Sequence, residues 1–142
     1  MKVELIFKKT DYNQSPEVIT SHTDTMDLSS DEVSKLIEST LLGYTTQVQV
    51  CEWIDEMEDE SLMSIIDTAH TNLFGATADG FYHDDNNDGI EIELDEVIIY
   101  GKKTIKLHEF FTNNEDDFYE SDVEEKCKEY TEELAEELDL CN

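Results

Sequence analysis

The most regular stretch of this 142-residue chain is residues 84–107, DDNNDGIEIELDEVIIYGKKTIKL. It opens on a cluster of turn formers, and over residues 90–94 isoleucine and leucine then alternate with acidic residues, as in a half-buried strand. The chain turns again at residues 101–103, where a glycine precedes two lysines, and returns through residues 105–107. Together with the aromatic residues 81–82 before the first turn, the stretch predicts a β-meander.

Two other segments show the same period of two. Val, Leu and Phe alternate with charged or polar positions over residues 3–7, and Tyr, Thr and Val do so over residues 44–53. Each segment therefore predicts a strand. Residues 11–27 hold the only proline, Pro16, and are rich in Ser, Thr, Asn and Asp. This composition predicts a long polar connection or an edge segment of the sheet.

Three segments have helical spacing instead. Residues 29–43 begin with a capping-box signature and end at a glycine, and residues 62–75 carry an apolar stripe that also ends at a glycine. Residues 123–138 repeat apolar side chains at spacings of four, three, four and four. This stripe predicts a terminal helix that packs against the sheet, with a coiled-coil seam as the alternative.

The order of these elements predicts an α+β fold. We expect a mainly antiparallel sheet of four to five strands, two short helices and a long acidic C-terminal helix. No internal repeat or second hydrophobic unit is evident, so we expect a single domain over residues 1–142.

The charge of the chain is strongly one-sided. Nine lysines and no arginine stand against 37 acidic residues, which gives a formal net charge of −28. Residues 1–10 and 101–110 are each +2, whereas residues 11–100 carry −21 and residues 111–142 carry −11. We expect the two basic segments to be strands on one side of the molecule. Direct binding to nucleic acid or to an anionic membrane is disfavoured, because both depend on basic side chains.

The N-terminal sequence MKVELIFKKT contains no apolar run suited to a signal peptide or a membrane span. Cys51, Cys127 and Cys141 form no CxxC pair, and their odd number argues against a disulfide framework. We therefore expect free thiols in a reducing compartment and a cytoplasmic location.

Enzyme motifs are missing from the sequence. It holds no nucleophile elbow, no phosphate-binding glycine-lysine loop and no zinc-type spacing of Cys and His, and its four histidines fall on different elements. We expect a protein that is not an enzyme, with no catalytic residues, no cofactor and no metal.

One alternative to this expectation comes from residues 84–89, which match the opening of an EF-hand calcium loop. The match then fails, because position twelve is Asp95 rather than glutamate and a strand pattern follows where an exiting helix is needed. A hairpin turn is the favoured interpretation of this segment. A calcium-responsive protein is left open as a third class of function.

The charge itself requires an explanation, since small soluble domains usually carry a net charge of ~2 to 8. Carboxylates on alternate strand residues lie ~6.6 Å apart, and those at i, i+3, i+4 and i+7 of a helix lie at ~5 to 6 Å, the order of the phosphate spacing in nucleic acid. In size, acidity and its glutamate-rich terminal segment, the chain resembles the phage-encoded acidic DNA mimics that inhibit restriction enzymes and CRISPR nucleases. The resemblance is one of overall character without an aligned motif. It implies an inhibitor that occupies the basic nucleic-acid channel of a bacterial nuclease complex.

Two rows of acidic side chains are the candidate partner-binding residues. They are Glu125, Glu129, Glu132 and Glu136 on the terminal helix, and Glu91, Glu93 and Asp95 on the predicted strand. The alternative function is an immunity protein or acidic chaperone that binds a basic protein without imitating DNA. If the apolar stripe of the terminal helix is exposed, a homodimer or a chaperone is favoured over a mimic.

Overall fold

Four antiparallel strands form one sheet in the computed structural model of the chain. They are β1 (Lys2–Asp11), β2 (Val18–Asp27), β3 (Ile90–Tyr100) and β4 (Thr104–Lys106), in the order β2-β1-β3-β4. Val3, Leu5 and Phe7 are fully buried, so the alternation in β1 gives it one core-facing side. The predicted α+β class with a mainly antiparallel sheet is confirmed.

The structure describes residues 1–46, 50, 53–54, 59–120 and 122–139. The chain forms two compact units. The first comprises residues 1–4, 25–47 and 96–142, and the second comprises residues 5–24 and 48–95. The single domain expected over residues 1–142 stays a prediction.

Residues 11–27 provide the turn after β1 and the strand β2, which is the last strand in the sheet order. Of the two expectations for this segment, the edge segment is confirmed. From His22 onward the side chains of β2 are half-buried on one face and exposed on the other, with Thr23 and Thr25 on the exposed face.

Six α-helices lie within the described residues. They are α1 (Ser30–Thr46), α2 (Glu60–Phe74), α3 (Ala78–Tyr82), α4 (Leu107–Asn113), α5 (Glu115–Glu120) and α6 (Val123–Glu137). At 15 residues the terminal helix α6 is shorter than α1, which has 17. The expectation of two short helices and one long terminal helix is therefore corrected. Among the described residues, no helix combines the length and the apolar character needed to cross a membrane.

The predicted strand over residues 44–53 is wrong wherever the structure describes it. Helix α1 continues through residues 44–46, and residues 50, 53 and 54 are helical, while residues 47–49 and 51–52 lie outside the described part. The Tyr44 ring contacts those of His108 and Phe111, with centroids 4.9 Å and 5.7 Å apart. Packing within the first unit thus overrides the β propensity of this segment.

The predicted β-meander does not include residues 81–82. These residues end α3, whose N-cap Thr77 accepts the backbone N–H of Gly80 at 3.1 Å. Phe81 is buried beside the rings of His70 and Phe74. The meander therefore reduces to the β3–β4 hairpin, in which Ile99 pairs with Ile105.

The first unit has a helical core in which α1 packs on α6 and α4. Val33, Leu36, Ile37 and Leu41 of α1 are fully buried. The predicted capping box at the start of α1 is confirmed by two reciprocal hydrogen bonds. Ser29 Oγ accepts the Glu32 N–H at 3.2 Å, and Glu32 Oε1 accepts the Ser29 N–H at 2.9 Å.

The core of the second unit centres on α2. Asp59 caps this helix by accepting the Leu62 N–H at 3.0 Å, and the helix ends at Gly75 in the left-handed conformation, as predicted. Leu62, Ile66 and Ala69 form its buried stripe.

Candidate partner-binding surfaces

Helix α6 presents its predicted glutamates on the side opposite its buried face. Cys127, Thr131, Leu134 and Ala135 are buried. Since successive residues turn by about 100° around a helix, positions i, i+4, i+7 and i+11 form a single ridge. The residues at these positions are Glu125, Glu129, Glu132 and Glu136, and all four are exposed. We call these four residues the α6 ridge.

The apolar stripe of α6 is covered within the first unit. Cys127 and Leu134 are each 1% exposed, and α6 packs mainly on α1 and also on α5. The expected partner of this stripe was the sheet, so that expectation is corrected in favour of α1. Burial of the stripe also removes the observation that was to favour a homodimer or a chaperone.

The linear density of carboxylates along α6 is close to the phosphate density of one nucleic-acid strand, while Lys126 and Lys128 reduce the net charge of the helix to −5. The helix has 15 residues and seven glutamates. Its length is about 22 Å at 1.5 Å per residue, which gives one carboxylate per ~3 Å. One strand of DNA carries one phosphate per ~3.4 Å of axis, and the duplex one per ~1.7 Å. The helix therefore has the spacing of a single strand.

Helix α5 extends the same acidic surface, and its sequence did not predict a helix because a short run of acids is typical of a loop. Helix α5 packs on α6, and Tyr130 of α6 donates its hydroxyl to Asp117 of α5 at 2.5 Å. Burial and the Asp117 carboxylate together raise the pKa of Tyr130 to about 12. The one sequence signal for α5 is Phe118, an apolar residue among acids that proves fully buried.

Residues 115–139 carry most of the net charge of the first unit. Residues 115–139 hold 13 acids and two lysines, a net −11, and we call them the α5–α6 surface. The rest of the first unit holds seven acids and five lysines, a net −2. Within this unit the acids are therefore concentrated rather than spread.

One lysine partly neutralises the α6 ridge. Lys126 Nζ lies 3.1 Å from Glu129 and 3.5 Å from Asp117. A hydrogen bond to Glu129 is the main cause of the raised pKa of Lys126. Glu129 is thus less available to a partner than its position on the ridge suggests.

The second candidate row lies on β3 in the second unit. More of its side chains than those of the α6 ridge already bind neighbouring side chains. Glu93 lies 3.2 Å from Lys8 on β1, and this hydrogen bond is the main cause of the raised pKa of Lys8. Glu91 accepts the Tyr12 hydroxyl at 3.2 Å, which raises the pKa of Tyr12. Glu91 and Glu93 are half-buried, while Asp95 is exposed. This row therefore offers less unpaired charge than the α6 ridge.

The calcium-like loop is held by its own hydrogen bonds. Asp84 caps a short 3₁₀ turn over residues 85–87 by accepting the Asn86 N–H at 2.9 Å. Asn13 donates to the Asp88 carbonyl at 2.7 Å. The loop connects α3 to β3, so its interpretation as a hairpin turn is corrected. Within the described residues, no group of three or more His, Cys, Asp or Glu side chains is placed to hold a metal ion.

His70 is the most buried of the four histidines and has a structural setting. It is 1% exposed, and its ring lies among those of Phe7, Phe74 and Phe81. Its Nδ1 lies 2.7 Å from the carbonyl of Ala76. Burial lowers its pKa below the ordinary value, so the ring is neutral near pH 7.

Comparison of the chain with protein-family models, with curated proteins and with solved structures finds no match in any of the three. The function is therefore argued from the residues and surfaces described above.

Proposed function

We propose that this chain is a non-enzymatic inhibitor that imitates nucleic acid and occupies the basic DNA- or RNA-binding groove of a bacterial defence nuclease, either a CRISPR effector or a restriction enzyme. It acts in the cytoplasm of the host bacterial cell. The observation that carries the proposal is the net −11 on residues 115–139, with the α6 ridge facing away from the buried side of its helix.

The ridge has the properties that a groove built for phosphates recognises. Its carboxylates lie at ~5 to 6 Å intervals between neighbouring Cβ atoms. Lysine and arginine side chains that neutralise phosphates would pair with these carboxylates instead. Long-range attraction to a basic groove makes association fast and makes affinity fall with added salt.

The α6 ridge makes the main contacts with the nuclease, and the acidic row on β3 makes secondary ones. Because Lys8 already pairs with Glu93, the β3 row adds less to affinity than the ridge does. A protein with four ridge carboxylates replaced keeps its fold, since these side chains are exposed.

The experiment compares two variants of equal net charge. In the first, the four residues of the α6 ridge are changed to glutamine. In the matched control, four exposed acids of the second unit are neutralised: Glu17→Gln, Glu60→Gln, Asp85→Asn and Asp88→Asn. Cleavage of duplex DNA by a purified CRISPR effector and by a restriction enzyme is measured against the concentration of each protein.

We expect the ridge variant to lose inhibition while the control inhibits like the unmodified chain. Equal inhibition by all three proteins would exclude the ridge as the contact surface. Equal weakening of the two variants would mean that net charge alone acts and that no surface is imitated. An immunity protein or acidic chaperone would bind its partner without displacing DNA.

A further inference from the structure

The two edges of the described sheet differ in length and in charge. The β4 edge has three residues and lies among Lys102, Lys103 and Lys106. The β2 edge has ten residues, VITSHTDTMD, with no lysine, proline or glycine. Short strands, lysines and prolines are the features that prevent a sheet edge from pairing with another chain. β4 has two of these features, whereas β2 has none of the three and carries only the acidic side chains of Asp24 and Asp27 as charges that oppose pairing.

The open side of β2 presents a regular row of backbone groups. Met1 and Leu28 exchange two hydrogen bonds at 2.8 Å and 2.9 Å, which marks them as a hydrogen-bonded pair of an antiparallel ladder. Since such pairs alternate, the even-numbered residues of β2 bond to β1. The N–H and C=O groups of Ile19, Ser21 and Thr23 then point away from β1.

Side chains on the core-facing side of β2 fix this part of the strand against helix α2. The His22 ring packs edge-on against Phe74 with centroids 5.0 Å apart, and Asp24 accepts the side-chain amide of Asn72 at 3.3 Å. Val18 and Ile19 are nevertheless 40% and 58% exposed. An ordered strand with exposed β-branched side chains is a suitable template for a further strand.

We propose that the open edge of β2 binds an extended basic segment of a partner protein by strand addition. The charge of the surroundings selects this occupant. Glu17 and Asp24 lie on or beside β2, and the second unit as a whole carries 17 acids against Lys8 and Lys9. Asp27, at the end of β2, is already paired with the N-terminal ammonium of Met1 at 2.6 Å. A strand bearing lysine or arginine is attracted to this edge, whereas a second copy of the chain brings a further −28.

The inference does not rest on the proposed function, because strand addition needs backbone hydrogen bonds and mimicry needs carboxylates. The test titrates the full-length, isotope-labelled protein at about 150 mM salt. The probe is a capped peptide of about ten residues in which lysine alternates with valine. A second peptide has the same sequence with N-methyl groups on alternate residues, so that it keeps the charge but lacks donors on one edge.

We expect the first peptide to shift the amide signals of β2 and the N-methylated peptide to bind about tenfold or more weakly. The Ser21→Pro variant, which loses one outward N–H, should weaken binding of the first peptide. The Glu133→Gln/Glu137→Gln variant, which removes two exposed glutamates of α6 outside the ridge, is the control and should bind as the unmodified protein does. If Ser21→Pro does not fold, the two peptides still decide the question on the unmodified chain.

Equal binding of the two peptides would overturn the proposal, since charge alone would then explain the attraction. Equal binding of a peptide that alternates glutamate with valine would overturn the choice of a basic occupant. A dimer of the unmodified chain that Ser21→Pro dissociates, measured by sedimentation, would show that a second copy occupies the edge and would also overturn it.

Discussion

Glu96 on β3 caps helix α4 through the backbone of His108. Glu96 Oε1 accepts the His108 N–H at 2.5 Å, and Oε2 accepts the Glu109 N–H at 3.3 Å. The residue at the N-cap position itself, Lys106, makes no side-chain cap. A carboxylate from a distant strand therefore satisfies the first backbone donors of this helix.

The first prediction concerns this cap. Glu96→Ala should lower the free energy of unfolding by about 1 to 2 kcal/mol, because the donors of α4 lose their acceptor. The measurement is urea denaturation. Glu133→Ala, which removes an exposed glutamate of α6, is the control and should change stability by at most about 0.5 kcal/mol. An equal effect of the two substitutions would show that Glu96 does not cap the helix.

The second prediction compares two glycines with positive φ. Gly75 (φ 79°) has open space where a Cβ would lie, whereas at Gly89 (φ 81°) a Cβ would lie 2.6 Å from Asn13 Oδ1. Gly75→Ala should lower the free energy of unfolding by about 1 to 2 kcal/mol, because alanine is strained in the left-handed backbone conformation. Gly89→Ala should lower the free energy of unfolding by more than Gly75→Ala does, because it also displaces the Asn13 side chain from the Asp88 carbonyl. Thermal unfolding of the two variants measures the difference, and equal losses would contradict the contact with Asn13.

The third prediction is a pH dependence that originates at His70. Burial lowers its folded-state pKa below the ordinary 6.5, so the unfolded chain binds a proton more readily. The stability due to neutral His70 is present above the unfolded-state pKa and is lost as the pH falls below it. Between about pH 7 and pH 5, the free energy of unfolding should fall more steeply for the unmodified chain than for His70→Gln, by up to about 1.4 kcal/mol per pH unit.

The control for this measurement is His83→Gln. The His83 side chain is 70% exposed and lies 3.2 Å from Asp79. The comparison of the two variants shows whether a change of slope is specific to the buried His70. If the slope of His70→Gln equals that of the unmodified chain, His70 titrates as freely in the folded state as in the unfolded one.

The fourth prediction concerns Cys127. Burial, with the nearby charges of Glu38 and Glu124, raises the pKa of its thiol to about 11. Since the thiolate is the reactive form, Cys127 in the folded protein should be alkylated by iodoacetamide far more slowly than in urea. Peptide mass spectrometry follows this residue separately from the other two cysteines. Equal rates in both conditions would show that the α1–α6 interface opens freely.

The sequence correctly predicted those structural features that depend on residues close together in the chain. The Ser29–Glu32 capping box and the Gly75 helix end are contacts within a few residues, and both are present. The alternation in β1 and β3 likewise predicted two strands of the sheet. The period of α6 predicted which of its glutamates face away from the core.

Contacts between distant segments account for what the sequence did not predict. Helix α4 depends on Glu96, and the helical conformation at Tyr44 depends on the rings of α4, so neither leaves a local pattern. The pairing of Lys8 with Glu93 likewise requires the alignment of β1 with β3. For the candidate site, the α6 ridge was therefore predictable, whereas the partial neutralisation of the β3 row was not.

Competition with DNA decides whether the acidic surface takes the place of nucleic acid in the nuclease. A purified CRISPR effector or restriction enzyme is saturated with fluorescently labelled duplex DNA, and the unmodified chain is titrated in while anisotropy and complex size are followed. We expect mutually exclusive binding, so that the DNA is released and the apparent Kd of the chain rises in proportion to the DNA concentration. A stable ternary complex of nuclease, DNA and chain would contradict it.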